Sequence, residues 1–235
     1  MDLKRFFVKD KILGDNVILE NEEFYHAVKV TRHKVGYLII VCDNTNFDFY
    51  ARITEINKDS LVAKIEKKEQ NFAESSKNVT LYLGINKDID TAVQKAVELG
   101  INNIVPFTSQ HGNLDDINYE RLNKIILESS KQCGRSKLAN LNKIVTLKQA
   151  IIDAKDTNLL LFYEHEKDNK ILDTELNFDK DTSIFIGSEG GFSVEEIEFA
   201  KENNSKILTL GNRNLRVSTA ICSAITLCMA HLGEM

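Results

Sequence analysis

The feature that most constrains this chain is a junction that occurs twice near its C-terminus. In IFIGSEGGFSVEE (Ile184–Glu196) an apolar run ends in Gly187-Ser188-Glu189-Gly190-Gly191 and passes straight into a helix start. Ser193, followed three residues later by Glu196, has the pattern of a capping box. KILTLGNRNLRVSTA (Lys206–Ala220) repeats the arrangement. A run over Lys206–Leu210 reaches Gly211, a loop spans Asn212–Arg216, and Ser218 or Thr219 is placed to cap the apolar helix predicted over Val217–Leu232. A third run, Leu159–Leu161, leads into Phe162-Tyr163-Glu164-His165. Glycines after a strand let backbone groups approach a ligand, and the carboxyl ends of strands are where open α/β sheets bind ligands. A tight structural turn is the plainer reading of each loop, and a surface residue the plainer reading of His165.

The rest of the C-terminal half alternates in the same way. Strands are predicted over Val79–Leu83, Ile101–Phe107, Asn158–Phe162 and Thr182–Ile186, and helices over Ile89–Leu99, Tyr119–Gln132 and Val194–Asn203. Such alternation implies a largely parallel α/β sheet covered on both faces. Residues 1–70 differ. Short β-type runs (Lys4–Val8, Asn16–Leu19, Tyr37–Cys42, Phe47–Ile56, Ser60–Lys67) surround one helical stretch, Glu22–Lys34. These suggest a small barrel or sandwich. The polar stretch Glu69–Lys77 reads as a linker, which gives an N-terminal domain over 1–70 and an α/β domain over 75–235.

Several function classes lose support. No run approaches the roughly 18 apolar residues of a membrane span. MDLKRFFVKD carries charge inside its apolar stretch, unlike a signal peptide. The four cysteines are scattered, with no C-x-x-C pair, which points away from zinc and disulfide frameworks and towards a reducing cytoplasm. No metal motif, P-loop, dinucleotide fingerprint or serine-hydrolase elbow is present. The net charge of −5 gives no global attraction to nucleic acid. Basic residues are grouped locally, in His26–Lys34 and in Arg121–Lys137, although such runs are also what an ordinary solvated face looks like.

Taken together, these segments resemble the ribosomal small subunit methyltransferase E family of the SPOUT (trefoil-knot) methyltransferases. The resemblance runs through KRFFV (Lys4–Val8), HAVKVTRHKVG (His26–Gly36), NKDIDTAVQKAVELGINNIVPF (Asn86–Phe107), ESSKQCGRSKL (Glu128–Leu138), IGSEGGFSVEE and LGNRNLRVSTA. It implies an N-terminal PUA-like β-barrel, a C-terminal α/β domain with a deep knot, and a homodimer. It also implies S-adenosylmethionine-dependent methylation of uridine N3 in 16S ribosomal RNA of the small subunit, with no metal.

The resemblance assigns the cofactor to three loops. The first contributes Leu161, Tyr163 and Glu164. The second contributes Ile186, Gly187, Glu189, Gly190 and Gly191. The third contributes Leu210, Gly211, Leu215, Arg216, Ser218 and Thr219. Uridine N3 is a poor nucleophile until it loses its proton, and a guanidinium can stabilise the resulting charge. Arg216 is the first candidate and Arg135 the second; phosphate or carboxylate pairing is an equal alternative for each. RNA contacts are expected from Arg5, His26, Arg32, Lys87, Gln132 and Arg135.

The chain departs from the family pattern at Ser188 (proline in G-P-E-G-G), at Ser218 (glutamate in E-T-A) and at Gln110-His111 (within a Ser-Glu-Arg run). These departures keep two alternatives open: a SPOUT enzyme with another RNA target, and a non-catalytic RNA-binding or ribosome-assembly module.

Overall fold

The structure is a computed structural model that describes residues 3–9 and 11–235. The chain forms two compact units. One comprises the described residues up to Glu74 together with Leu127–Leu138; the other comprises Ser75–Ile126 and Ala139–Met235. The return of 127–138 to the first unit is a feature that a linear reading of domains does not anticipate.

The first unit contains β1 (Arg5–Phe7), β2 (Ile12–Leu13), β3 (Asn16–Glu20), α1 (Asn21–Tyr25), β4 (Leu38–Cys42), β5 (Phe47–Ile56) and β6 (Ser60–Gln70). α1 runs directly into a π-helical turn, His26–Val30. The strands form one six-stranded sheet in the order β1-β4-β5-β6-β3-β2, parallel between β1 and β4 and antiparallel elsewhere. The period-two rule explains which side is buried. Along β5, Phe49, Ala51 and Ile53 enter the core with Phe6, Leu19, Val41 and Leu61, while Arg52 and Thr54 face water. Two register shifts in the β5–β6 pairing, at Tyr50/Ala51 and Ile53/Glu55, mark bulges that bend the strand.

The second unit contains β7 (Val79–Gly84), α2 (Ile89–Glu98), β8 (Asn103–Thr108), the start of α3 (Tyr119–Cys133), β9 (Asn140–Leu141), β10 (Val145–Thr146), α4 (Leu147–Asp153), β11 (Asn158–Phe162), β12 (Thr182–Ile186), α5 (Val194–Glu202), β13 (Lys206–Leu208) and α6 (Val217–His231). The sheet order is β10-β8-β7-β12-β11-β13, with β9 beside β8, and every pairing is parallel. β11 and β12 are buried at every residue, as expected for inner parallel strands covered on both faces. Tyr82 and Phe185 stack at 4.3 Å between ring centroids in the core on one side of this sheet. Full burial of such a ring contributes roughly 1.5–3 kcal/mol.

The capping box of α5 is present: Ser193 accepts from Glu196 N–H, and Glu196 accepts from Ser193 N–H. The cap expected for α6 is not. Its N-cap is Arg216, and neither Ser218 nor Thr219 performs that role. The last strand stops at Leu208 rather than Leu210, because Thr209 leaves it to bridge Lys170.

Candidate functional site

Four adjacent strands of the second unit finish level with one another. Leu83 pairs with Ile186, Ile186 with Phe162, and Phe162 with Leu208. Because all run parallel, their carboxyl ends open on a single edge. The loops leaving that edge enclose a cavity of about 630 Å³, inside the roughly 300–1,000 Å³ range of small-molecule sites.

Each wall has a local cause. After β7, the buried Asn86 donates to Gly84 O (2.9 Å) and accepts from Asp88 N–H (2.9 Å), which sets Lys87 and Asp88 at the rim. A side chain at Gly84 would collide with the backbone of Gly187 and Ser188, so glycine here lets the β12 loop lie against the end of β7. The β12 loop closes through Gly191 N–H to Ser188 O (3.0 Å), with Gly191 at φ +68°. Glu196 pins this loop to the next: its two carboxylate oxygens accept from Ser193 N–H (2.9 Å) and Gln110 N–H (2.8 Å). His111 Nδ1 lies 3.2 Å from Gly190 O. After β11 come Phe162, Tyr163, Glu164 and His165, and after β13 the loop Leu210–Arg216, whose turn is held by Gly211 N–H to Thr209 Oγ1 (3.0 Å).

The cavity is charged on both counts. Lys87, Arg213 and Arg216 contribute cations; Asp88, Glu164 and Glu189 contribute anions. Glu189 accepts from Lys87 N–H (3.3 Å), but no ion pair joins any of these six side chains to another described residue. Arg216 makes no side-chain cap bond at the α6 N-terminus. A cation there faces the positive end of the helix dipole, so local helix stability does not account for the residue.

Residues 73–229 match a family model for an RNA methyltransferase domain, and residues 19–66 one for an RNA methyltransferase PUA domain. Ribosomal RNA small subunit methyltransferase E of Mesomycoplasma hyopneumoniae is 33% identical, covering 96% of this chain and 98% of its own. The chain belongs to the ribosomal RNA small subunit methyltransferase E family. The protein of that name from Rickettsia conorii is 29% identical over 96% of this chain and 94% of its own. The Neisseria gonorrhoeae member, solved bound to S-adenosylmethionine, superposes with a TM-score of 0.88 at 25% identity, over 97% of this chain and 98% of that one.

Within this methyltransferase E framework the cavity gathers most of the residues expected of the three loops. Tyr163, Glu164, Ile186, Gly187, Glu189 and Gly191 line it, and so do Leu210, Gly211, Leu215 and Arg216. Leu161 does not, because it is fully buried in the sheet core. Gly190 packs on the His111 backbone, and Ser218 and Thr219 lie in the first turn of α6 outside the cavity wall. Lys87, expected at RNA, stands at the cavity. Phe162, Ser188, Arg213 and Asn214, which lie within the same three loops, line it as well, and so does Asp88, which was not expected there. The signal was there: whole loops, rather than their glycines, form the wall.

Two expected arginines are corrected. Arg135 is 2% exposed, and its guanidinium grips both carboxylate oxygens of Glu74, with Nη2 to Oε2 at 2.8 Å. Arg5 pairs with Asp48 (Nη2 to Oδ2 3.0 Å) and donates to Ser136 Oγ (2.9 Å). Asn71 donates to the same carboxylate at 3.0 Å. Both arginines therefore hold the first unit together, and Arg135 is withdrawn as a catalytic or RNA-facing group. Burial alone would push the Asp48 carboxyl up, but the hydrogen bonds from Arg5, Ser136 and Asn71 outweigh it and hold the group below the usual carboxylate range. The neighbouring Cys42 thiol is pushed up to about 11, chiefly by burial. The boundary between the two units falls within Glu69–Lys77, the stretch read as a linker, and its first part belongs to the first unit: β6 runs through Gln70, Asn71 is buried, and Glu74 is gripped.

The other expected RNA contacts are mixed. His26 is half-buried, its ring 5.9 Å from that of Phe6. Arg32 and Gln132 are exposed. Within the basic stretch Arg121–Lys137, Lys131 pairs with Glu23 at 2.7 Å, and Arg121 pairs with Asp90. Acids distant in sequence thus neutralise much of what reads as a basic face.

Proposed function

We propose that this protein methylates N3 of a uridine in 16S ribosomal RNA of the small subunit, using S-adenosylmethionine held in the cavity at the carboxyl ends of β7, β12, β11 and β13. The observation that carries the reading is the convergence of the three predicted loops, together with Lys87 and Asp88, on one cavity. The chain's own groups suit such a guest. The absence of a Cβ at Gly191 lets the Glu164 carboxylate lie against the loop, and the Ser188 hydroxyl is buried without a hydrogen-bond partner among the described residues. Backbone groups and short polar side chains of this kind fix orientation in largely apolar pockets.

When bound, S-adenosylmethionine supplies a methyl group already activated on a sulfonium. The protein's task is then alignment and charge control. The strand-end loops, tied by Glu196 and Asn86, form a preorganised wall against which the reacting pair can be aligned. The N3 proton would leave first, placing negative charge on N3 and the flanking uridine carbonyl oxygens; N3 would then take the methyl carbon as the carbon–sulfur bond breaks, its electron pair returning to a sulfur that becomes neutral. Arg216, at the cavity and free of a carboxylate partner among the described residues, is the group that stabilises that charge.

In the same reading, the C-terminal domain is of the SPOUT class with a trefoil knot, and the protein acts as a cytoplasmic homodimer. The insertion of β12 between β7 and β11, with β13 added outside β11, supports a non-sequential C-terminal path. Among the described residues, no helix is long and apolar enough to cross a membrane. The PUA domain holds RNA, with Arg32 as an exposed contact; Gln132, exposed on α3, and Lys87, exposed at the cavity of the second unit, are the further contacts.

A nucleotide-resolved methylation map of ribosomal RNA from a deletion strain tests the proposal. Loss of one N3-methyluridine from 16S RNA, restored by the wild-type gene, is the expected result. Loss elsewhere would indicate another RNA target, and an unchanged map would support a non-catalytic module.

A further inference from the structure

We infer that the Glu164 carboxylate reads the positive charge of the methyl donor, so that the site holds the donor more tightly than its demethylated product. The inference rests on the proposed use of S-adenosylmethionine and adds a residue that sorts substrate from product.

Three observations converge on Glu164. Its side chain lines the cavity and folds over Gly191, where any residue with a Cβ would collide with the carboxylate. Gly191 sits at φ +68°, a conformation that favours glycine, so the loop is shaped in the way that admits this carboxylate. The carboxylate itself makes no ion pair or hydrogen bond with a described residue. The nearby Lys167 ammonium is bound instead to the Glu164 backbone carbonyl, at 2.9 Å. The contrast is with Glu189, which already accepts from Lys87 N–H. The cavity's own cations, Lys87, Arg213 and Arg216, make no ion pair with this carboxylate, which leaves it open to a cationic guest.

The donor and its product differ in one respect that such an anion can sense. The donor carries a sulfonium charge; after methyl transfer the sulfur is a neutral thioether, and the rest of the molecule is unchanged. A carboxylate within several ångströms of that charge, in a partly hydrated cleft, favours the charged form by about tenfold. Turnover then weakens the hold on the spent molecule and speeds its release.

The test is calorimetric titration of the full-length protein with S-adenosylmethionine and, separately, with S-adenosylhomocysteine. Wild type is expected to prefer the former by about tenfold. Glu164→Gln, which keeps shape and removes charge, is expected to lose that preference: affinity for S-adenosylmethionine drops about tenfold, and affinity for S-adenosylhomocysteine stays within about twofold. Glu164→Asp is expected to keep much of the preference. Raising the ionic strength should narrow the wild-type preference without any substitution. Equal losses for both ligands, or a preference unmoved by both salt and Glu164→Gln, overturn the inference while leaving the donor assignment standing. Wild type that binds neither ligand overturns both.

Discussion

Two pairs of arginines, one in each unit, do opposite things. In the first unit, Arg5 and Arg135 are withdrawn from water and matched to Asp48 and Glu74, with Ser136 and Asn71 completing the hydrogen bonding. In the second, Arg213 and Arg216 stand exposed at a cavity with no carboxylate partner among the described residues. A buried guanidinium without a partner would be intolerable, so the first pair belongs to folding. An exposed guanidinium at a helix N-terminus, as at Arg216, gains nothing locally and is available for a ligand; Arg213, in the loop before it, is likewise exposed at the cavity. Residue type and motif membership do not separate the two roles; burial and pairing do.

The comparison breaks most readily at Glu74. Glu74→Ala removes the carboxylate that the buried Arg135 grips and should lower unfolding free energy by about 3 kcal/mol, measured by denaturant titration. A loss below about 1 kcal/mol would mean that the pair is not structural. Gly191→Ala comes next. The positive φ costs roughly 1–2 kcal/mol for an L residue, and the new methyl displaces Glu164. Reduced S-adenosylmethionine affinity, with a modest drop in melting temperature, is the expected pair of results.

Acid sensitivity sharpens the same contrast. The Asp48 carboxyl is held below its ordinary value, so its stabilisation is complete above about pH 3.9 and is lost as pH falls through the lowered folded-state value. Asp48→Asn should therefore be less stable than wild type at neutral pH, and the gap should close in strong acid. A gap that stays constant with pH would remove the charge from the account. The smallest effect concerns RNA. Arg32→Ala should lower the slope of log affinity against log salt by about one, whereas Arg5→Ala, judged on folded protein, should leave that slope unchanged.

Much of the second unit was legible from order and pattern. β11 and β12 have the boundaries that their apolar runs predict, and the Ser193–Glu196 box marks the start of α5. The three loops were legible because strand ends in a parallel sheet must share an edge. What escaped was set by contacts distant in sequence. β9 and β10 have two residues each and exist only because β8 offers an edge. α4 is short, and its Leu147, Ala150 and Ile151 declare themselves only by packing into the core. Nothing near Arg135 in sequence reveals that Glu74 will neutralise it. Ser218 and Thr219 have the chemistry of caps, but α6 begins at Val217, two residues too early for Ser218 to cap it and three for Thr219.

The most direct test of the division is the rate of methyl transfer to small ribosomal subunits by Arg216→Ala at saturating S-adenosylmethionine. Melting temperature and donor affinity are checked on the same sample. The account predicts a rate reduced about 10²–10³-fold, with both controls close to wild type. A rate close to wild type, or a loss fully explained by weaker donor binding or by unfolding, would contradict it.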